Sequence, residues 1–188
     1  MNDVLKLIHT RRAVRDFKPD KVDDLDLATI LEAGRQAPSG WNGQTWHFTV
    51  VQKRSVLDRL VDAAREILPD TDPELVAEFP WLVAPQFHYY YQAPLVIFVS
   101  GLKSSKFSVS DGACATMNML FAAESLGLQT CIVTTALDVF RTKYRDEFLK
   151  DLNIPDGYEP MYALVIGYTS EDLPMAAPRK DDIVNYVN

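Results

Sequence analysis

Three arginines, Arg11, Arg12 and Arg15, fall within five residues of a 188-residue chain that carries 26 Asp and Glu against 19 Lys and Arg. A guanidinium is always charged, and its planar fork of donors matches phosphate oxygens. In an extended segment Arg11 and Arg15 lie ~13 Å apart at ~3.3 Å per residue. They then reach different parts of one elongated ligand, with a phosphate at one end and an electron-accepting ring at the other. The same backbone points Arg11, Ala13 and Arg15 one way and Arg12 and Val14 the other. A second segment, Ala37 to Trp46, reads APSGWNGQTW. Pro38, Ser39 and Gly40 are small, so their backbone can approach a flat ring closely. Asn42 and Gln44 each offer a donor and an acceptor, which suits a ring edge bearing N–H and C=O groups. The pair of segments suggests a bound mononucleotide. Each segment alone also has a plainer explanation, a solvated cation cluster for the first and a helix-to-strand turn for the second.

Other chemistries lack support. The net charge of −7 argues against a nucleic-acid binder, which needs a basic face for phosphates. No GxGxxG or phosphate loop is present, and no HExxH or CxxC, so no metal site is expected. His9, His47 and His88 are scattered, and Ser39 lacks the G-x-S-x-G setting of a hydrolase nucleophile. Cys114 and Cys131 sit in apolar runs and read as buried free thiols of a reducing compartment. The first ten residues do not resemble a secretion signal. No apolar run reaches the ~18 residues of a membrane span. A cytoplasmic protein is the expectation.

The elements that must position these residues follow from periodicity. Asp3 is expected to cap a first helix with Val4, Leu7 and Ile8 on its buried face. Arg11–Phe17 reads as extended. A helix is expected over 24–36 on the stripe Leu27, Ile30 and Leu31, with Pro38 beyond its end. Trp46–Val51 reads as a strand. Ser55 is expected to cap the next helix, which buries Val56, Leu57, Leu60, Val61 and Ala64. Residues 68–92 hold four prolines among several aromatics and read as short helical pieces and loops, a lid or a dimer arm. Leu95–Val99 is a short apolar strand. Asp111–Leu126 is a helix apolar on nearly every side, closed by Gly127 in the left-handed position. Gln129–Thr134 and Met161–Tyr168 read as strands, and Leu137–Leu152 as one amphipathic helix. The tail ends in an apolar patch, Ile183, Val184, Tyr186 and Val187. The fold class is α+β, a single domain over 1–188 with a central mixed, mainly antiparallel sheet wrapped by helices.

With these blocks in view, RRAVRDF, APSGWNGQTWHF, QAPLVIFVSG, DGACATMNMLFAAESLGLQTCIV and YALVIGY followed by APRKDDIV, the chain resembles the FMN-dependent nitroreductase family over nearly its whole length. The resemblance implies a homodimer with two FMN sites at the subunit interface, and NADH or NADPH as co-substrate. It implies that Arg11 and Arg12 face phosphate and ribityl, with Ala13 contributing backbone and Arg15 beside the flavin N1 and C2 carbonyl. Pro38, Ser39 and Gly40 would pack on the ring from the partner subunit, with Asn42 and Gln44 lining the site. Val133, Thr134 and Thr135 would lie near the ring, and Arg179 with Lys180 would complete the phosphate clamp. No side chain is assigned a catalytic role beyond Arg15 as an electrostatic stabiliser.

The implied activity is ping-pong transfer of reducing equivalents to a nitroaromatic, quinone or similar small acceptor, with 68–92 shaping acceptor choice. An FMN storage protein, or a dehydrogenase or dehalogenase of the same fold, would share these binding residues. Two departures stand out. Ala13 replaces a usual serine, and Thr45 stands where many members carry proline.

Overall fold

Strand β2 (Leu95–Leu102) is buried from end to end apart from its last residue, and its two faces serve two different cores. Leu95, Ile97 and Val99 point to one side, Val96 and Phe98 to the other, as the two-residue period of a strand requires. A strand covered on both faces is apolar throughout, which is why LVIFV reads as an uninterrupted run. In this computed structural model, which describes residues 1–187, β2 lies at the centre of a four-stranded antiparallel sheet of order β1–β2–β4–β3. Its other strands are β1 (Trp46–Val51), β3 (Gln129–Val133) and β4 (Tyr158–Gly167).

One face carries α2 (Asp24–Arg35) and α5 (Ser108–Ser125), whose Ile30, Met119 and Ala123 pack on Leu164 and Ile166. The other carries α3 (Arg54–Thr71) and a 3-10 stretch (Thr135–Arg141) followed by α6 (Arg145–Asp151). The expected α+β layering is present. Its ladders are antiparallel, and the parallel component is a single bridge between Ala13 and Thr130. Gly127 closes α5 at φ +83°, where a side chain would be strained.

Several expected boundaries differ for identifiable reasons. The cap of α1 (Asp3–Thr10) is Asn2, whose Oδ1 accepts from the Leu5 N–H. Its apolar stripe is not buried: Val4 is 67% and Ile8 48% exposed. Helix α3 begins at Arg54 with no side-chain cap and runs on through Pro69. Within 68–92 lie the end of α3, the short α4 (Pro73–Glu78) and a 3-10 turn over Pro80–Val83. The single helix expected over Leu137–Leu152 is broken at Thr142, whose extended backbone (ψ −171°) is held by its own side chain. The Thr142 hydroxyl donates to the Val139 carbonyl and accepts from the Tyr144 N–H. Cys114 is exposed on α5, and only Cys131 is buried. The apolar residues of the tail are also in the open, with Tyr186 85% and Val187 97% exposed.

Candidate functional site

The first block runs beside β3. The Val14 N–H donates to the Thr130 carbonyl at 2.9 Å, Val14 is buried, and Ala13 packs on the α3-side core. This anchoring leaves the arginines to be accounted for. Among the described residues, no ion pair within 4.0 Å contains Arg11, Arg12 or Arg15. Arg11 Nε is buried without a hydrogen-bond partner. Arg12 reaches only backbone oxygens, with Nε donating to the Pro174 carbonyl and Nη1 to the carbonyls of His9 and Arg11. Arg15 Nε donates to Tyr91 Oη at 3.2 Å, with the guanidinium carbon 5.9 Å from the tyrosine ring centre.

Neighbouring groups register these charges. Burial pushes the Glu124 carboxyl above the usual carboxylate range, while the Thr130 hydroxyl donating to it at 2.8 Å and the Arg11 charge pull the other way. Burial also raises the Cys131 thiol, with Arg15 and Arg11 opposing. The Tyr91 phenol is raised by burial first, and the hydrogen bond to Tyr91 raises Arg15 in turn.

Beside Arg15 a cleft of about 470 Å³ opens between the first block and the 79–92 arm, lined by Phe17, Trp81, Phe87, His88 and Tyr91 among others. Its walls form a chain of edge-to-face aromatic contacts, Trp81 on Phe87 at 4.8 Å and Phe87 on Tyr91 at 6.1 Å. Val133 is buried at the end of β3, with Thr134 and Thr135 lining a separate cavity of about 320 Å³ under Asp72 and Arg141.

The second block is held differently. The Asp111 carboxylate, buried in the first turn of α5, accepts from the Gly40 N–H at 2.9 Å through Oδ1 and from the Thr45 hydroxyl at 2.8 Å through Oδ2. Thr45, where proline is frequent in the resembling family, thus supplies a bond that proline could not make. The Gln44 N–H donates to Ser39 Oγ, and Gln44 Nε2 to Asn42 Oδ1. Trp41, Asn42 and Gln44 have φ of +53°, +54° and +47°, a region non-glycine residues seldom occupy and which recurs at functional sites. At Gly40 a Cβ would meet the Phe107 ring at 2.4 Å, so only glycine fits.

The two blocks are tied near opposite ends of α5. The first abuts Glu124 in the last turn of α5 and the second is tied to Asp111 in its first, thirteen residues earlier. At 1.5 Å per residue that is ~20 Å of helix. Arg179 and Lys180 lie in the exposed tail, whose beginning is fastened to Arg12 through Pro174. Tyr91, Asp111 and Glu124 were missing from the sequence-derived site. An acid at either end of an otherwise apolar helix was the available signal for the last two. Tyr91 was hidden in a run of three tyrosines.

Arginines without acid partners beside the edge strand β3, and a loop with positive φ angles tied to Asp111, are the two features that an α+β fold sets around the candidate site. The Nitroreductase family model matches residues 8–168, and the chain belongs to that family. An Archaeoglobus fulgidus protein named, provisionally, as an NADH dehydrogenase/NAD(P)H nitroreductase is 30% identical over 92% of this chain and 88% of its own length. The iodotyrosine deiodinase of Thermotoga neapolitana is 28% identical, covering 99% of this chain and 98% of its own. The crystal structure of a nitroreductase with bound FMN from Bacteroides fragilis superposes with a TM-score of 0.90 at 29% identity, covering 100% of both chains. No described helix is long and apolar enough to cross a membrane. Among the described residues no group of three His, Cys, Asp or Glu is placed to hold a metal ion.

Proposed function

We propose that this protein is an FMN-dependent oxidoreductase. In this reading it passes reducing equivalents from NADH or NADPH to a nitroaromatic, quinone or similar small acceptor in two half-reactions at one site. The observation that carries it is the set of three arginines without acid partners in a chain of net charge −7. Desolvating a guanidinium without a partner is costly, so a buried, unpartnered Arg11 Nε fits a phosphate-bearing cofactor well.

FMN, when bound, supplies the hydride chemistry between nicotinamide and acceptor. Arg11 and Arg12 neutralise its phosphate, joined by Arg179 and Lys180 from the tail. Arg15 keeps a fixed positive charge at the ring edge, where it stabilises negative charge as it develops during reduction. Pro38, Ser39 and Gly40 pack on the ring from a second copy of the chain, Asn42 and Gln44 line the site, and Ala13 contributes backbone. Support for that assembly is the ~20 Å between the blocks and the exposed apolar residues of α1 and of the tail. Val133, Thr134 and Thr135 border the site along β3. The aromatic cleft under the 79–92 arm suits a flat acceptor.

The test begins with the visible spectrum of the protein as purified, followed by anaerobic addition of NADH or NADPH. A yellow protein that bleaches within seconds is expected. A yellow protein that does not bleach is a store for FMN, and a colourless one that takes up no FMN overturns the proposal. Arg15→Ala is expected to stay yellow but to be reduced more slowly. A second reading, reductive dehalogenation of an aromatic acceptor, is favoured by the deiodinase relative's near-complete coverage. Turnover of halogenated phenols with halide release, against nitroarenes and quinones, separates the two.

A further inference from the structure

The turn that carries Tyr91 is strained. Tyr91 and Gln92 adopt φ of +51° and +56° in succession, and neither is the glycine that such a conformation favours. Backbone bonds from the Tyr91 N–H to the His88 carbonyl and from the Ala93 N–H to the Tyr90 carbonyl close it, Arg54 Nη1 donates to the Gln92 carbonyl at 3.4 Å, and the His88 ring caps two further N–H groups. His88 Nδ1 lies 3.2 Å from the Tyr90 nitrogen and 3.3 Å from the Gln92 nitrogen. Both are N–H donors, so Nδ1 is the acceptor and the ring proton sits on Nε2. That Nε2 faces Asp58 Oδ1 at 3.3 Å, and Asp58 is itself gripped by Arg54 at 2.7 Å. His88 is largely enclosed, and burial first, then the charge of Arg54, holds its pKa below the ordinary value. The neutral ring that can accept two N–H groups is therefore the resident form. The turn so fixed delivers the Tyr91 hydroxyl to Arg15 Nε at 3.2 Å.

We propose that Tyr91 is a positioning residue for Arg15, and that Asp58 and His88 set the position of Tyr91. By accepting from Nε, the phenol takes one of the five guanidinium donors and leaves those of the two terminal nitrogens without a hydrogen-bond partner among the described residues. The planar group is then aimed rather than free to sweep the cleft mouth. The inference rests on the proposal that Arg15 stands at the ring edge of bound FMN. It adds that the position of that charge is set from the arm, through a hydroxyl contributed by residue 91. Preorganised charge does more than mobile charge because no reorganisation is needed when the ligand becomes more negative.

The test uses Tyr91→Phe, which keeps the ring and deletes the hydroxyl, alongside Arg15→Ala. Redox titration of the bound flavin is expected to give a more negative midpoint potential for both, with the smaller shift in Tyr91→Phe. FMN affinity of the apoprotein, read by quenching of flavin fluorescence, is expected to change by no more than about threefold in Tyr91→Phe, the scale of one modest hydrogen bond. His88→Asn, whose side-chain oxygen can replace Nδ1 as acceptor but which cannot reach Asp58, is expected to fall between wild type and Tyr91→Phe, whereas His88→Leu follows Tyr91→Phe.

A measurement on the apoprotein does not depend on the cofactor. The Arg15 Nε–H resonance in a 15N-labelled sample is expected to be protected from exchange in the wild type and to lose that protection in Tyr91→Phe. A Tyr91→Phe protein with wild-type potential and wild-type protection, next to an Arg15→Ala protein with a shifted potential, overturns the positioning role and leaves the proposed function standing. An unshifted potential in Arg15→Ala overturns the placement of Arg15 at the ring edge, and the positioning role with it, while FMN binding and turnover still stand or fall by the spectrum and its bleaching.

Discussion

Two sets of arginines in this chain have opposite surroundings. Those of α3 are committed to the protein itself. Arg54 pairs with Asp58, Arg59 with Glu147 and Asp151, and Arg65 with Asp62 while also donating to the carbonyls of Pro85 and Phe87. Those of the first block, Arg11, Arg12 and Arg15, meet no carboxylate within 4.0 Å among the described residues. Acids outnumber bases overall, so the lack of partners reflects placement rather than supply. The side chain is the same in both sets. A paired arginine fastens one element to another, whereas an unpaired one beside a cleft is a standing electrostatic offer to a ligand.

The largest expected effect comes from removing one of the unpaired set. Arg11→Ala is expected to weaken FMN binding by about a hundredfold, the scale of lost charge-assisted bonds to phosphate, with little change in the stability of the apoprotein. Fluorescence titration and a melting curve measure the two, and a large drop in Tm with unaltered affinity would reverse the comparison. Next comes the α3 arginine that touches backbone. Arg65→Met strips two carbonyls of their donor and loosens the 79–92 arm. It is expected to destabilise the protein by about 1–3 kcal/mol, read by urea unfolding, while the FMN affinity holds.

A smaller effect is predicted at Glu124, whose folded-state pKa lies above its ordinary 4.5. The protonated form is favoured by folding, so its contribution is complete below pH 4.5 and is lost as pH rises through the elevated folded value. Glu124→Gln keeps the acceptor for Thr130. The apoprotein variant should therefore melt at or above the wild type at pH 7 and lose that advantage at pH 4. FMN should widen the difference if Arg11 turns from Glu124 toward phosphate, because the buried carboxylate then loses the charge that favours its ionised form. The smallest effect belongs to Arg59, whose side chain is 50% exposed. Exposed pairs contribute little, so Arg59→Ala should shift Tm slightly, more at low salt than high, and leave flavin affinity unchanged.

Much of this architecture was readable from pattern alone. The buried strands announced themselves as apolar runs, α5 as a helix apolar on most sides, and Gly127 as its stop. Both candidate blocks were visible because cations and small polar residues are conspicuous in an acidic chain. What escaped was whatever depended on particular partners. The break at Thr142 is made by one hydroxyl bonding its local backbone, and periodicity cannot register a single bond. The stripe of α1 is apolar as expected, yet Val4 and Ile8 are exposed in the single chain, because a helical pattern records an apolar face without saying what, if anything, covers it. Asp111 appeared only as the start of a helix, and its grip on the Gly40 loop joins residues 71 positions apart. Tyr91 offered nothing to distinguish it from Tyr89 and Tyr90, although the structure buries those two and turns the third toward Arg15.

The length of α5 has a genetic consequence. If its two ends serve different pockets, each finished pocket borrows one block from either copy. A subunit crippled at Arg11 and another crippled at Gly40 would then be dead as pure populations. Refolded together, their hybrids would carry one ruined pocket and one whole one. Two null alleles would complement in a single cell, and the recovered turnover would count the hybrids.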